Sequence, residues 1–316
     1  MTDPVPVWPG KLASYGTGEV FVRAAPALPG AEPAMLVHGL GGSSTNWTDL
    51  MDLLRQQPPA GQPWPALACE ALDLPGFGFS PPRDDEDYSI DALAATVAGL
   101  IEKRGNWPVH LIGNSLGGAV CTRVAARRPD LVRTLTLISP ALPDLRPRLL
   151  PLRVTLLSSP ALGPWLVTRS QRASAQARSE LMLKGIYFDP QSRHPQRRIE
   201  DIAELSRRDQ VDYANRVLVR AARGLVVEYM RPGARSLWRD AARVAGPALI
   251  IHGSHDRLVN PLLAARAARV FSRSRVVVLP RTGHVAMMER PAWVAREIRS
   301  LLAVAPSGLP GGRQAG

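Results

Sequence analysis

Three side chains in this 316-residue chain have the types and spacing for nucleophilic chemistry: Ser115, Asp256 and His284. A serine hydroxyl is a weak nucleophile alone. It needs a base within hydrogen-bond reach, and the base needs a carboxylate to hold its tautomer. Ser115 lies in Gly113-Asn114-Ser115-Leu116-Gly117-Gly118, after the apolar tetrapeptide Val109-His110-Leu111-Ile112 and before a run with helical apolar spacing at 119–126. A serine with glycine at both second neighbours, on a strand-to-helix turn, has the pattern of a nucleophile elbow. Such a turn strains the serine backbone, and a Cβ at 113 or 117 would collide with the neighbouring strand or helix. The hydroxyl is thereby lifted to a helix N-terminus, where free N–H groups and the helix dipole favour negative charge.

His284 follows an apolar segment at 276–279 and the turn Pro280-Arg281-Thr282-Gly283, a position from which a ring reaches across to a neighbouring elbow. The other five histidines have plainer readings. His110 begins the strand ahead of the elbow, His194 lies in a helical stretch, and His38 braces a glycine loop. His252 reads as buried and hydrogen-bonded at a strand end, and His255 as a loop residue beside Asp256. Asp256, in Gly253-Ser254-His255-Asp256-Arg257-Leu258-Val259, lies just past the preceding strand, and the order Ser, Asp, His is that of one hydrolase architecture. Asp144 is the second choice of acid, while the Leu-Pro-Gly-Phe-Gly context of Asp73 suggests a loop-stabilising carboxylate. The cluster at 252–256 has neither HExxH nor zinc-finger spacing, and no metal or other cofactor is expected. Gly39-Leu40-Gly41-Gly42 lacks a dinucleotide fingerprint and a P-loop lysine. Its glycines suit an oxyanion site, with Leu40 or Gly41 supplying one N–H and Leu116 the other, each worth ~3 kcal/mol to a transition state.

Positioning these groups requires a sheet. Apolar runs at 34–37, 66–72, 109–112, 135–138, 248–251 and 276–279 alternate with segments of helical periodicity, and 19–24 reads as an early antiparallel strand. The alternation predicts an α/β fold with a mostly parallel central sheet flanked by helices. Every unusual segment falls at the carboxyl end of a strand, where such sheets bind ligands. The pattern breaks after Pro140 into about a hundred residues of helical character, around 149–157, 161–186, 198–208 and 211–230. The expected organisation is a flexible segment at 1–18, a core of 19–140 and 246–304, a helical segment at 141–245, and a disordered tail at 305–316.

With 45% apolar residues the chain can build a large core. Cys69 and Cys121 read as buried free thiols. The N-terminus lacks a basic region followed by an apolar one, and the longest apolar stretch is broken by Arg153, Pro160 and Pro164. A cytoplasmic protein without stable membrane insertion is expected. The net charge is +12, and 141–245 carries 19 Lys/Arg against 10 Asp/Glu. These arginines are mixed with acids at helical spacing and lack any groove-reading or aromatic motif, so a solvated helical surface is expected and nucleic acid is not.

Taken together, these motifs resemble those of the α/β-hydrolase superfamily over 19–302. His38-Gly39-Leu40-Gly41-Gly42 looks like its oxyanion loop, Asp73-Leu74-Pro75-Gly76-Phe77-Gly78-Phe79-Ser80 like its D-x-P-G-x-G-x-S loop, and Gly283-His284 with Glu289-Arg290-Pro291 like its catalytic-histidine segment. The resemblance implies an α/β-hydrolase fold with a helical cap inserted after the sixth strand and covering the active site. Ser115 argues against the epoxide hydrolases and haloalkane dehalogenases, whose nucleophile is Asp. The elbow is similar to that of meta-cleavage-product C–C hydrolases, but those usually carry Trp after the catalytic histidine, where this chain has Val285. The reading is a serine esterase or lipase of small-molecule esters, with Leu40, Leu116, Trp165 and Val285 at the substrate site. Leu149, Leu150, Leu152, Leu156, Leu157, Leu166 and Met182 are further candidates for an apolar acyl pocket, rimmed by arginines. C–C hydrolysis and a non-catalytic ligand-binding role are the alternatives.

Overall fold

Two strands with no polar face set the centre of the molecule: Val109–Asn114 and Ala248–Gly253 are buried at every position. Such strands need cover on both sides, which a parallel sheet between two helical layers supplies. The structure is a computed structural model and describes residues 4–16, 18–106, 108–144, 149–233 and 236–305. Its strands are β1 (Gly10–Ser14), β2 (Glu19–Ala24), β3 (Glu32–Val37), β4 (Leu67–Leu72), β5 (Val109–Asn114), β6 (Val132–Ile138), β7 (Ala248–Gly253) and β8 (Ser274–Leu279). They form one sheet in the order β1-β2-β4-β3-β5-β6-β7-β8. β2 runs antiparallel to both neighbours, and the other pairings are parallel.

The core helices are α1 (Thr48–Arg55), α2 (Ile90–Arg104) and α3 (Leu116–Arg127). Between β6 and β7 run α4 (Leu149–Leu157), α5 (Leu162–Ser170), α6 (Ala175–Ile186), α7 (Pro195–Asp209), α8 (Ala214–Tyr229) and α9 (Leu237–Arg243). The chain then adds α10 (Leu263–Val270), α11 (Ala286–Glu289) and α12 (Pro291–Val304). Side-chain alternation divides the core. Leu137 and Ile250 pack with α2, α3, α9 and α10 on one face, while Leu36, Ile112, Ile138 and Ile251 pack with α1 and α12 on the other. Cys69 and Cys121 are buried free thiols, and burial pushes Cys69 up to about 12. Among the described residues no helix is long and apolar enough to cross a membrane.

Three local readings change. The N-terminal stretch expected to be loose contains β1, which pairs with β2 from Gly10↔Arg23 to Ser14↔Glu19. An exposed edge strand needs no apolar alternation, so it leaves no period-2 signal. The stretch 161–186 divides into α5 and α6, where the Ser174 hydroxyl accepts the Ala177 N–H and caps the second helix. Helix α9 was not foreseen, because it is only seven residues long. The tail 306–316 lies outside the described residues.

The basic charge of the helical insert has a structural explanation. Arg197 of α7 is buried and pairs with Asp49 of α1 (2.7 Å) and with Glu200. Arg216 and Arg220 of α8 pair with Glu86, and Arg231 pairs with Asp91. These arginines answer acidic groups of the core, and the expectation of a solvated surface fails at the buried Arg197 while Arg216 and Arg220 remain about half-exposed. The reverse pairing fixes the other end. Arg123 of α3, wholly buried, holds Glu228 of α8 (2.5 Å), Asp240 of α9 and Asp91 of α2. Burial pushes the Glu228 and Asp240 carboxyls up, and Arg123 offsets only part of that. Removing one member of a buried ion cluster strands the remaining charges. Arg123→Met is therefore expected to lower unfolding stability by about 3–5 kcal/mol. Urea denaturation checks this, and an unchanged midpoint would count against the cluster as the anchor of the insert.

Candidate active site

The elbow is built as its glycines require. Ser115 joins β5 to α3 with φ 53° and ψ −117°, outside the regions that L-residues favour. Its N–H donates to Ile138 O (3.1 Å), and its carbonyl accepts from Ala119 (3.1 Å) and Ala141 (2.9 Å), so the strain is held from three sides. A Cβ on Gly117 would stand 2.2 Å from Val37 O, closer than any carbon and carbonyl oxygen can approach. A Cβ on Gly39 would stand 3.0 Å from the Ser115 Cβ. The elbow and the loop after β3 thus touch through backbone.

Asp256 and His284 meet as expected. His284 Nδ1 lies 2.8 Å from Asp256 Oδ2, and both side chains are almost fully buried. The other carboxylate oxygen accepts the N–H groups of Leu258 (2.8 Å) and Val259 (2.9 Å), so the acid is locked within its own loop. Burial pushes the Asp256 carboxyl up, but the His284 ring and these hydrogen bonds prevail and hold it below its ordinary value. The remaining histidines are occupied elsewhere. His110 bridges Thr134 and Glu32 (2.8 Å each), His194 caps α7 through Gln196 N–H, and His255 contacts Ser254 and Phe188. His252 departs from expectation. It is fully buried, but among the described residues neither ring nitrogen has a protein partner, and burial pushes its pKa down to about 4.

The loops around the pair are braced by polar groups. Leu74 N–H donates to His38 Nε2 (2.9 Å), which leaves Nδ1 to donate to Gly39 O (2.7 Å) and fix the loop after β3. Asp73 accepts Ser44 N–H (2.6 Å) and Phe79 N–H (2.8 Å), so it stabilises loops as its context suggested. Among the described residues neither the Leu40 nor the Leu116 N–H donates to a protein acceptor, and both flank the elbow. Two braces escaped the sequence reading. Asn114 Nδ2 donates to Ile138 O (2.9 Å) and His284 O (3.3 Å), linking the elbow to the histidine loop. Glu289 accepts the N–H groups of Gly283 (2.7 Å), Phe188 and Asp189 (3.2 Å each), while His284 N–H donates to Ile186 O (2.7 Å). The histidine loop is therefore held by the insert. A long-range Asn or Glu brace has no local spacing that could reveal it.

Ser115 and His284 open into one cavity of about 720 Å³ between the sheet's carboxyl edge and the insert. Its walls are mainly apolar and include Leu40, Val285, Leu152, Met182, Leu225 and Met288. Two expected contacts fail. Trp165 is 61% exposed on α5 and does not line the cavity, and the Leu116 side chain is buried in the core, leaving only its N–H near the site. Leu156, Leu157 and Leu166 also lie off the wall, and the side chains of Leu149 and Leu150 fall outside the described residues. Among the described residues no Lys or Arg lines the cavity, while Arg146, Arg148 and the Arg153 side chain fall outside them.

Residues 33–291 match the alpha/beta hydrolase fold family, and the chain belongs to that family. It is 30% identical over 279 residues to the dihydrolipoyllysine-residue acetyltransferase component of the acetoin cleaving system of Pseudomonas putida, covering 86% of this chain and 64% of that protein. It is 27% identical over 271 residues to the pimeloyl-[acyl-carrier protein] methyl ester esterase of Neisseria meningitidis, covering 83% of this chain and 90% of that one. The crystal structure of Cfl2 from Burkholderia cenocepacia superimposes with a TM-score of 0.77 at 20% identity, over 93% of this chain and 95% of that one.

A carboxyl held below its unfolded value stabilises the fold above that value and loses the contribution as pH falls through its folded value. Asp256→Asn is therefore expected to flatten the acid-side fall in stability below about pH 4. Urea unfolding across that range measures it, and parallel wild-type and variant curves would refute the linkage.

Proposed function

We propose that the protein is a serine hydrolase that cleaves carboxylic esters with an apolar acyl group. The observation that carries this reading is that His284, paired with the buried Asp256, opens together with Ser115 into one mainly apolar cavity. In the proposed reaction His284, oriented by Asp256, takes the Ser115 proton as Oγ attacks the ester carbonyl. The oxyanion rests between the Leu40 and Leu116 N–H groups. The C–O bond then breaks, and the alcohol leaves with the proton from His284. Water, activated by the same ring, attacks the acyl-enzyme and releases the acid. The helical insert acts as a cap that supplies the apolar wall.

The wall also weighs on the alternatives. A dienoate substrate of the C–C type carries a carboxylate, whereas among the described residues no Lys or Arg lines the wall. Val285 lines the cavity where those hydrolases carry Trp. Each methylene buried in such a wall is worth ~0.8 kcal/mol. With nitrophenyl esters, octanoyl is expected to exceed acetyl in kcat/KM by more than tenfold. Ser115→Ala is expected to lose turnover and fluorophosphonate labelling together. Faster cleavage of the acetyl ester would refute the apolar acyl site. A folded wild type that takes no label would favour a ligand-binding member of the fold.

A further inference from the structure

The insert leaves large apolar side chains in the open. Leu152 and Leu156 of α4, with Leu162 and Trp165 of α5, are each 41–61% exposed. Single exposed leucines are ordinary, but a contiguous exposed apolar patch marks an interaction site. These four fall into stripes. Leu152 and Leu156 lie four apart on α4, and Leu162, Trp165 and Arg169 lie three and four apart on α5. The other side of α5 is seated. Val167 is buried, and a Cβ on Gly163 would stand 2.2 Å from Leu157 O and 3.0 Å from Val219 Cγ1. The two helices pack on each other and on α8, so the pair is fixed with its stripes outward.

This face reaches the cavity. Leu152 lines the cavity wall while half-exposed, and so do Met182 of α6 and Met230 at the end of α8, which are 38% and 71% exposed. Three helices thus set a large apolar side chain at one mouth. The charge is equally one-sided. Between Asp144 and Glu180 the sequence holds six arginines and no Asp or Glu. Arg178 pairs with Asp209, whereas Arg169 and Arg172 are exposed and form no ion pair among the described residues. We propose that α4 and α5 form a docking face for an anionic lipid bilayer, which holds the cavity mouth against the lipid. What the mouth then takes up, an apolar acyl ester, rests on the ester-hydrolase reading; the docking itself does not. Apolar stripes with unpaired cations and an exposed Trp suit the boundary between head groups and acyl chains. A second copy would oppose arginine to arginine across a two-fold axis, which like charge disfavours. Among the described residues no helix can cross a membrane, so the contact is peripheral.

The test is cosedimentation of the full chain with ether-linked vesicles, which offer no ester to cleave. One set is phosphatidylcholine alone, the other phosphatidylcholine and phosphatidylglycerol in equal parts. Binding to the mixed vesicles is expected to be about tenfold tighter than to phosphatidylcholine. Trp165→Ser, and separately Arg169→Glu with Arg172→Glu, are each expected to weaken it about tenfold, with turnover of soluble nitrophenyl butyrate unchanged. No binding to either vesicle, equal binding to both, or wild-type binding by both variants overturns the docking face. A lipid-free dimer that Trp165→Ser dissociates also overturns it and assigns the face to a second copy. Selective binding by a wild type that neither turns over nitrophenyl butyrate nor takes a fluorophosphonate label defeats the ester-hydrolase reading and leaves the docking face standing.

Discussion

The site depends on backbone touching backbone at one place. Around Ser115 the strand β5, the helix α3 and the loop after β3 approach so closely that a single Cβ at Gly117 would overlap Val37 O. That contact lets the serine hold φ 53° while its carbonyl and amide are pinned to Ala119, Ala141 and Ile138. Strain of this kind costs roughly 1–3 kcal/mol and persists only where the surroundings over-determine it. Here they do, because both faces of the sheet are packed and the elbow cannot relax without opening the core. The same closeness sets Gly39, just ahead of Leu40, against the serine, where an added Cβ would stand 3.0 Å from the Ser115 Cβ.

The insert is part of this machinery. Its arginines answer core carboxylates, and the core's own buried Arg123 answers two carboxylates of the insert. Charges exchanged in both directions give the insert a fixed seat, with Ile186 O and the Glu289 carboxylate fastening the histidine loop to it. The insert thereby supplies part of the mainly apolar wall of the cavity onto which Ser115 and His284 open.

Much of this was legible in the chain because it is local. The glycines around Ser115, the glycine before His284 and the loop around Asp256 are short patterns that encode a turn. The parallel strands were legible because residues buried on both faces form continuous apolar runs. What escaped is non-local or unforced by periodicity. Strand β1 is an exposed edge and needs no apolar face, and α9 is too short for a period. Asn114 and Glu289 act across more than a hundred residues on the histidine loop and the insert. The orientation of Trp165 was misjudged because an aromatic in an apolar helix can face a cavity or solvent, and only the packing of α5 decides. The burial of Arg197 is not legible because its partner Asp49 lies far away in sequence.

The central claim is that the strained hydroxyl of Ser115 is the group that attacks. The direct measurement is peptide mapping by mass spectrometry after stoichiometric reaction of the wild-type protein with a fluorophosphonate. The account predicts one adduct per chain, on the peptide containing Ser115, and its disappearance in His284→Ala at the same reaction time. An adduct on any other residue, or unchanged labelling without His284, would contradict it.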